Sequence, residues 1–134
     1  MKKDFSKHWK SSKSPRKQRK YLANAPLHIR RKFLTSTLSR DLRKKHKKRS
    51  FQVVTDDKVK ILRGQFKSKE GKITSIDIKK SRVYIDSIQL IKKDGTKLFY
   101  PVHPSNLMIL ELNTKDKERM KIFERIKNVA PQKT

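Results

Sequence analysis

The chain has 134 residues, room for one domain, and carries 38 Lys and Arg against 12 Asp and Glu, a formal net charge of +26. Only 33% of it is hydrophobic, too little to offset the entropy of ordering every residue, and so strong a cation needs a polyanion beside it. With no cysteine, disulfides, thiolate metal sites and cysteine nucleophiles are excluded. The charge is uneven: residues 1–50 hold 19 basic and 2 acidic residues, residues 51–112 hold 12 and 7, and residues 113–134 hold 7 and 3. This predicts a basic extension (1–50), a small folded module (51–112), and a C-terminal helix with a short tail (113–134). Neither a signal peptide nor a membrane span is visible, since the longest aliphatic run is Leu107-Met108-Ile109-Leu110. A soluble, intracellular protein is expected.

Up to Lys20 the extension is Lys, Arg, Ser and other polar residues, and a helix there would have no face to bury. Arg16, Lys17, Arg19 and Lys20 are candidate phosphate contacts. From Asn24 the pattern changes. Asn24 suits a cap and Pro26 a first turn, which predicts a short helix over 27–34. Leu27 and Leu34 would share its apolar stripe, with His28, Arg30, Arg31 and Lys32 as candidate RNA contacts. A second helix is expected from Ser36 or Thr37, with Leu38 and Leu42 one turn apart. It carries Arg40 and runs into the block Arg43, Lys44, Lys45, Lys47, Lys48 and Arg49. A solvated charge run or a nuclear localisation signal is the plain alternative for that block. Basic residues throughout the extension favour RNA contact. Residues 1–50 are expected to order only when phosphates relieve their repulsion.

The middle reads as strands. Val59 and Ile61 alternate with lysines, 71–78 is rich in β-branched residues, and Lys79-Lys80-Ser81 is a turn before a strand over 82–86. Ile88–Ile91 and Lys97–Tyr100 flank Asp94-Gly95, a hairpin signal. A last strand spans 107–112. Short strands at this spacing predict a mainly β fold, a small bent barrel. Finally, Thr114 can cap a helix with Asp116 and Glu118 in its first turn. Ile122, Phe123, Ile126, Val129 and Ala130 form its apolar stripe, expected to pack on the chain's own module or on a neighbouring protein, and Pro131 ends it.

The segment Gly64-Gln65-Phe66-Lys67-Ser68-Lys69-Glu70-Gly71-Lys72-Ile73, preceded by the strand Val59–Arg63, resembles the KOW motif. Gly64 and Gly71 would supply backbone freedom for a tight loop. Arg63, Lys67 and Lys72 would meet phosphates, and Phe66 could stack on a base. The family pattern has glycine at 68; here it is serine. The flanks are more specific. Residues 24–32 and 38–44, Val83-Tyr84-Ile85-Asp86, His103-Pro104-Ser105-Asn106-Leu107 and residues 116–125 are similar, in order and spacing, to one large-subunit ribosomal protein family. It is numbered twenty-four in bacteria and twenty-six in eukaryotes, and the extension is similar to its eukaryotic and archaeal branch. The chain differs from the usual eukaryotic form in stopping soon after the helix. The resemblance implies an SH3-like barrel bound to large-subunit ribosomal RNA near the nascent-chain tunnel exit, supporting subunit assembly. Lys79, Lys80, Arg82, His103 and Asn106 join the expected RNA contacts.

Catalysis finds no support. His8, His28, His46 and His103 lack metal-ligand spacing, three glycines make no phosphate loop, and Asp56-Asp57 is expected to form a local salt bridge or turn. No cofactor, metal, membrane, small-molecule substrate or homo-oligomer is expected. Phe5, Trp9, Tyr21 and Phe51 are further candidates for stacking on unpaired bases, and at least one of each neighbouring pair among Tyr84, Phe99 and Tyr100 is expected in the core. The expected partners are ribosomal RNA and neighbouring ribosomal proteins, in the cytoplasm, with nucleolar passage if the cell is eukaryotic. A KOW-containing transcription-elongation or RNA-processing factor is the alternative, but it leaves residues 24–49 unaccounted for.

Overall fold

The computed structural model describes residues 5–6 and 11–129, the last four by backbone alone. His8, Trp9, Ala130 and Pro131, and the side chains of Ile126 and Val129, lie outside the described residues.

Three short helices occupy the extension: α1 (Pro15–Asn24), α2 (Leu27–Phe33) and α3 (Arg40–His46). α1 forms over the stretch in which a helix was expected to have no face to bury, and none of its residues is buried. Its Arg, Lys, Gln, Leu and Ala content is strongly helix-forming. Tyr21 supplies one aromatic contact on each side, to Phe5 at 4.8 Å and Phe33 at 5.9 Å between ring centroids. Asn24 closes α1, and Pro26 precedes α2 as its cap. Leu27 and Leu34 do not share a stripe: Leu34 lies just beyond α2 and is buried, whereas Leu27 is 53% exposed.

The helix expected from Ser36 or Thr37 is instead a strand, β1 (Thr35–Leu38). β-Branched Thr35 and Thr37 alternate with buried Ser36 and Leu38, the period of a strand rather than a helix. α3 then starts at Arg40, where the Ser39 hydroxyl accepts a hydrogen bond from Leu42 N, and it stops at Lys47, whose φ is 50°.

The remaining elements are β2 (Ser50–Gln52), β3 (Lys58–Ile61), β4 (Glu70–Asp77), β5 (Arg82–Ile85), β6 (Gln89–Ile91), β7 (Lys97–Phe99), a 3-10 turn at Pro104–Asn106, β8 (Leu107–Glu111) and α4 (Lys117–Val129). Six strands form one sheet in the order β2-β1-β8-β3-β4-β5, with β1 parallel to β8 and the other neighbours antiparallel. The fold is mainly β, and the hydrogen-bond ladder does not close: β2 and β5 are its edges. A register shift between Ile73 and Ser75 bends β4, and a single bridge joins Val83 on β5 to Val102. β6 and β7 pair only with each other. Phe99 and Tyr100 are therefore both partly exposed, against the expectation that one of them is core.

The core contains Leu34, Leu38, Phe51, Val59, Ile61, Ile73, Val83, Ile85, Leu107, Ile109 and Phe123. Leu34 and Leu38 belong to the stretch read as a basic extension. Since β1 lies between β2 and β8, the strands Thr35–Leu38 and Ser50–Gln52 both belong to the folded sheet, and a division after residue 50 falls inside β2. Burial of those leucines is what offsets the entropy of ordering the segment.

α4 is held at its first turn. Arg119 donates to both oxygens of Asp57, Nη1 to Oδ1 at 2.6 Å and Nη2 to Oδ2 at 2.7 Å, in a pair that is almost wholly buried. The guanidinium also bonds the carbonyls of Asn113 and Gln52, and it lies over the Phe51 ring. Asp57 accepts from Val54 N and Asn113 N as well. The salt bridge expected at Asp56-Asp57 is thus a long-range one, while Asp56 turns the chain with φ 67°. Asp116, rather than Thr114, caps the helix by accepting from Glu118 N and Arg119 N.

Candidate nucleic-acid interface

Among the described residues the ion pairs are Lys58–Glu111, Lys60–Glu70, Arg119–Asp57 and Lys121–Glu118. None of the residues expected to contact RNA takes part in them. Their charges are left for an external anion, and most of their side chains are exposed.

On α1, Arg16, Lys17, Arg19 and Lys20 all face solvent, as do His28, Arg31 and Lys32 on α2. Arg30 is different: its Nε donates to Ala25 O at 2.9 Å and its terminal nitrogens to Ala23 O and Lys79 O. Arg30 therefore ties α1 and α2 to the turn between β4 and β5, which sets exposed Lys79 and Lys80 beside the helices. Arg43 likewise spends its Nε on Leu38 O at 2.7 Å, inside the turn that starts α3. Around α3, Arg40, Lys44, Lys45, Lys47 and Arg49 are exposed, while Lys48 lies 4.9 Å from the centre of the Phe51 ring. Phe51 itself is 4% exposed and stacked on Phe123 at 4.2 Å, so it has no face for a base. Phe5 and Tyr21 spend part of their faces on each other.

The KOW-like loop is built by backbone bonds: Lys67 N to Gly64 O, Lys69 N to Phe66 O, and Ser68 N back to Ile61 O at 2.9 Å. Gly64 has φ 97°, as expected. Ser68, where the family pattern has glycine, has φ 70°, so the serine adopts the left-handed turn in spite of its Cβ. Gly71 has no positive φ. It is needed for space, because a Cβ there would collide with Ser87 Oγ and Asp86 Oδ1 and reach 2.7 Å from Ile85 Cγ2. Arg63, Lys67 and Lys72 are exposed, whereas Phe66 is half-buried against the core, 5.1 Å from Tyr100 and beneath the Lys69 ammonium. Its tip position is partly given over to packing.

Two backbone contacts draw separate segments of the candidate interface together. Leu62 N donates to Asn106 O at 2.8 Å, and Val83 and Val102 exchange hydrogen bonds at 2.9 Å. Arg63 therefore adjoins Asn106, and Arg82 adjoins His103. His103 Nδ1 caps the 3-10 turn through Ser105 N and Oγ. Burial and then the Arg82 charge hold its pKa below the usual histidine value, which favours the neutral ring. Arg125, exposed on α4, is a cation that sequence reading passed over, because that helix was read only for its apolar stripe.

The cations thus fall into two groups. One follows α1, α2, α3 and the β4–β5 turn; the other follows the loop after β3 and the turn before β8. An array of this kind has the chemistry to hold phosphates through many weak contacts, which would position a polyanion without reading its sequence.

The family described as the ribosomal proteins L26 of eukaryotes and L24 of archaea matches residues 12–126. The chain is similar to the large ribosomal subunit protein uL24 of Methanothrix thermoacetophila, with 47% identity over 114 residues, 85% of this chain and 98% of the relative. It is also similar to the large ribosomal subunit protein uL24 of Methanocorpusculum labreanum, with 48% identity over 114 residues, 85% of this chain and 94% of the relative.

Proposed function

This chain belongs to the family of eukaryotic L26 and archaeal L24 ribosomal proteins, and from that premise we propose that it binds large-subunit ribosomal RNA near the nascent-chain tunnel exit and supports subunit assembly. It is a structural constituent of the large ribosomal subunit, acting in translation on the cytoplasmic ribosome. The observation that carries the RNA-binding reading is the ionic one: the expected contact residues stay out of every ion pair among the described residues. A solvated surface carrying so much unpaired charge is best explained by phosphates.

The bent sheet supports the finer fold reading. We take it as an open form of an SH3-like barrel, since the Val83–Val102 bridge brings the approach to β8 against the free edge of β5. The organisation we propose is a basic N-terminal extension, the sheet, and a C-terminal helix. The exposed hairpin β6–β7, with Leu90, Ile91 and Leu98, is the surface best suited to neighbouring ribosomal proteins. No catalytic role, small-molecule substrate, membrane partner or self-association forms part of this reading. Both relatives are archaeal, so nucleolar passage is not carried forward. The elongation-factor alternative is not favoured, because the family match includes the N-terminal helices.

The test is binding of the full chain to its isolated ribosomal RNA segment across a salt series. Each phosphate neutralised contributes roughly 0.7–0.9 to the log–log slope, so a steep fall in affinity is expected. A nearly flat dependence would remove the electrostatic contacts from the account.

A further inference from the structure

A groove runs along the outer edge of the sheet, between α2, β2 and α4. Three separate elements deliver cations to it: Arg31 and Lys32 from α2, where His28 also lines the wall, Lys48 from the approach to β2, and Arg125 from α4. Two carboxylates also line it, and both are already engaged. Asp116 accepts from the backbone of α4, and Glu118 pairs with Lys121 at 2.6 Å. Arg119, which also lines the groove, is held by Asp57, whereas Arg31, Lys32, Lys48 and Arg125 are in no ion pair among the described residues. Between them lies a mixed floor of Phe51, Val54 and Ile122 with Ser50 and Gln52 of the edge strand.

We propose that this groove seats an unpaired segment of RNA, its phosphates held by Arg31, Lys48 and Arg125 and its bases turned toward the edge of β2. Cations on three different elements around one groove can follow the bends of a single strand, and a base can rest on Ile122, 38% exposed, beside half-buried Val54 rather than on the covered Phe51 ring. This rests on the ribosomal RNA reading above and adds a location and a strand type to it. Arg125, which motif and composition leave unmarked, becomes a contact residue, and α4 becomes part of the RNA-binding surface as well as a packing element.

The experiment uses the full chain with four probes: its isolated ribosomal RNA segment, a mixed-sequence single-stranded 12-mer oligoribonucleotide, the same 12-mer annealed to its complement, and a poly-glutamate peptide. The groove variant is Arg31→Gln with Lys48→Gln and Arg125→Gln. The control variant removes the same charge from α1, by Arg16→Gln with Arg19→Gln and Lys20→Gln. With roughly 0.7 of slope per phosphate on single strands, the groove variant should lower the salt slope for the 12-mer by about 2. Its affinity for the 12-mer should fall at least tenfold further than that of the control variant, with duplex binding reduced equally in both. Equal losses in the two variants on the single strand would overturn the groove, while the wild type's binding to the ribosomal RNA segment would leave the broader reading standing. Failure of the wild type to bind that segment would remove both. A groove variant that keeps the 12-mer but loses a poly-glutamate peptide would assign the groove to an acidic protein and overturn the proposal. Unchanged circular dichroism is expected for both variants, and an unchanged melting temperature for the α1 control, whose residues are exposed; the groove variant should melt slightly lower, since Arg31 and Arg125 are exposed but half-buried Lys48 gives up its contact over the Phe51 ring.

Discussion

At the residue scale, the two motif glycines do different work from one another. Gly64 is needed for its φ of 97° and Gly71 for the space in front of it, where Ser87 and Asp86 approach. Sequence reading assigned both to backbone freedom, because a spacing pattern cannot distinguish a turn from a close approach. Gly71→Val should therefore overpack the β4–β5 contact and cost about 1–3 kcal/mol in chemical denaturation. Ser68→Gly should act in the opposite sense, relieving a left-handed serine and raising stability by about 0.5 kcal/mol once the looser unfolded chain is counted. A destabilised Ser68→Gly would mean that the serine hydroxyl holds the loop. His103 provides a titration test. Burial, and next the Arg82 charge, lower its folded pKa below 6.5. A group depressed in this way binds fewer protons in the native state than in the unfolded chain. Its contribution to stability is then full above about pH 6.5 and is lost as pH falls through the window below that value. Imidazole NMR resonances of the native chain should titrate below 6.5, and Arg82→Gln should move the midpoint upward. An unmoved midpoint would take Arg82 out of the local field.

At the element scale, legibility followed the range of the interactions that form each element. Strands β3, β4 and β5, the β6–β7 hairpin and α4 were all visible, because their periodicity and turn residues are written locally. β1 was not. Thr35–Leu38 is strand because β8, some seventy residues away, runs parallel to it through the Thr37–Met108 and Leu38–Ile109 register. No window of sequence contains that partner. The candidate RNA contacts were legible as a population and not one by one: Arg30 and Arg43 are diverted to backbone carbonyls, and Phe51 to the core. Asp57 and Arg119 were equally hidden, 62 positions apart. Asp57→Asn should cost about 3–5 kcal/mol, since it strands a buried guanidinium. The double variant Asp57→Asn with Arg119→Met should cost less than the two single variants added together. Hydrogen exchange should find α4 opening before the sheet in Asp57→Asn. Simple additivity in the cycle would mean that the helix is held by Phe123 and its neighbours alone.

At the scale of the whole molecule, the question is where the independently folding part begins, and charge and burial give different answers. Charge places the boundary near residue 50, where the basic block ends. Burial places it near residue 34, since Leu34 and Leu38 are 2% and 0% exposed and β1 is the strand that links β2 to β8. Burial decides folding, because removing a buried leucine costs about 2–5 kcal/mol and a domain of this size has only about 5–15 kcal/mol in total. A chain beginning at residue 34 keeps the six-stranded sheet and should give a dispersed amide NMR spectrum with a cooperative melt. A chain beginning at residue 51 loses β1 and both leucines and orphans the edge of β8, so it should not fold. The shorter deletion also separates stability from binding. Residues 1–33 carry 12 basic residues and 1 acidic residue, so their removal should flatten the salt dependence of ribosomal RNA binding while leaving the sheet intact. If the chain beginning at residue 51 gave the same dispersed spectrum as the chain beginning at residue 34, β1 would be an adornment of the sheet and the charge boundary would be the right one.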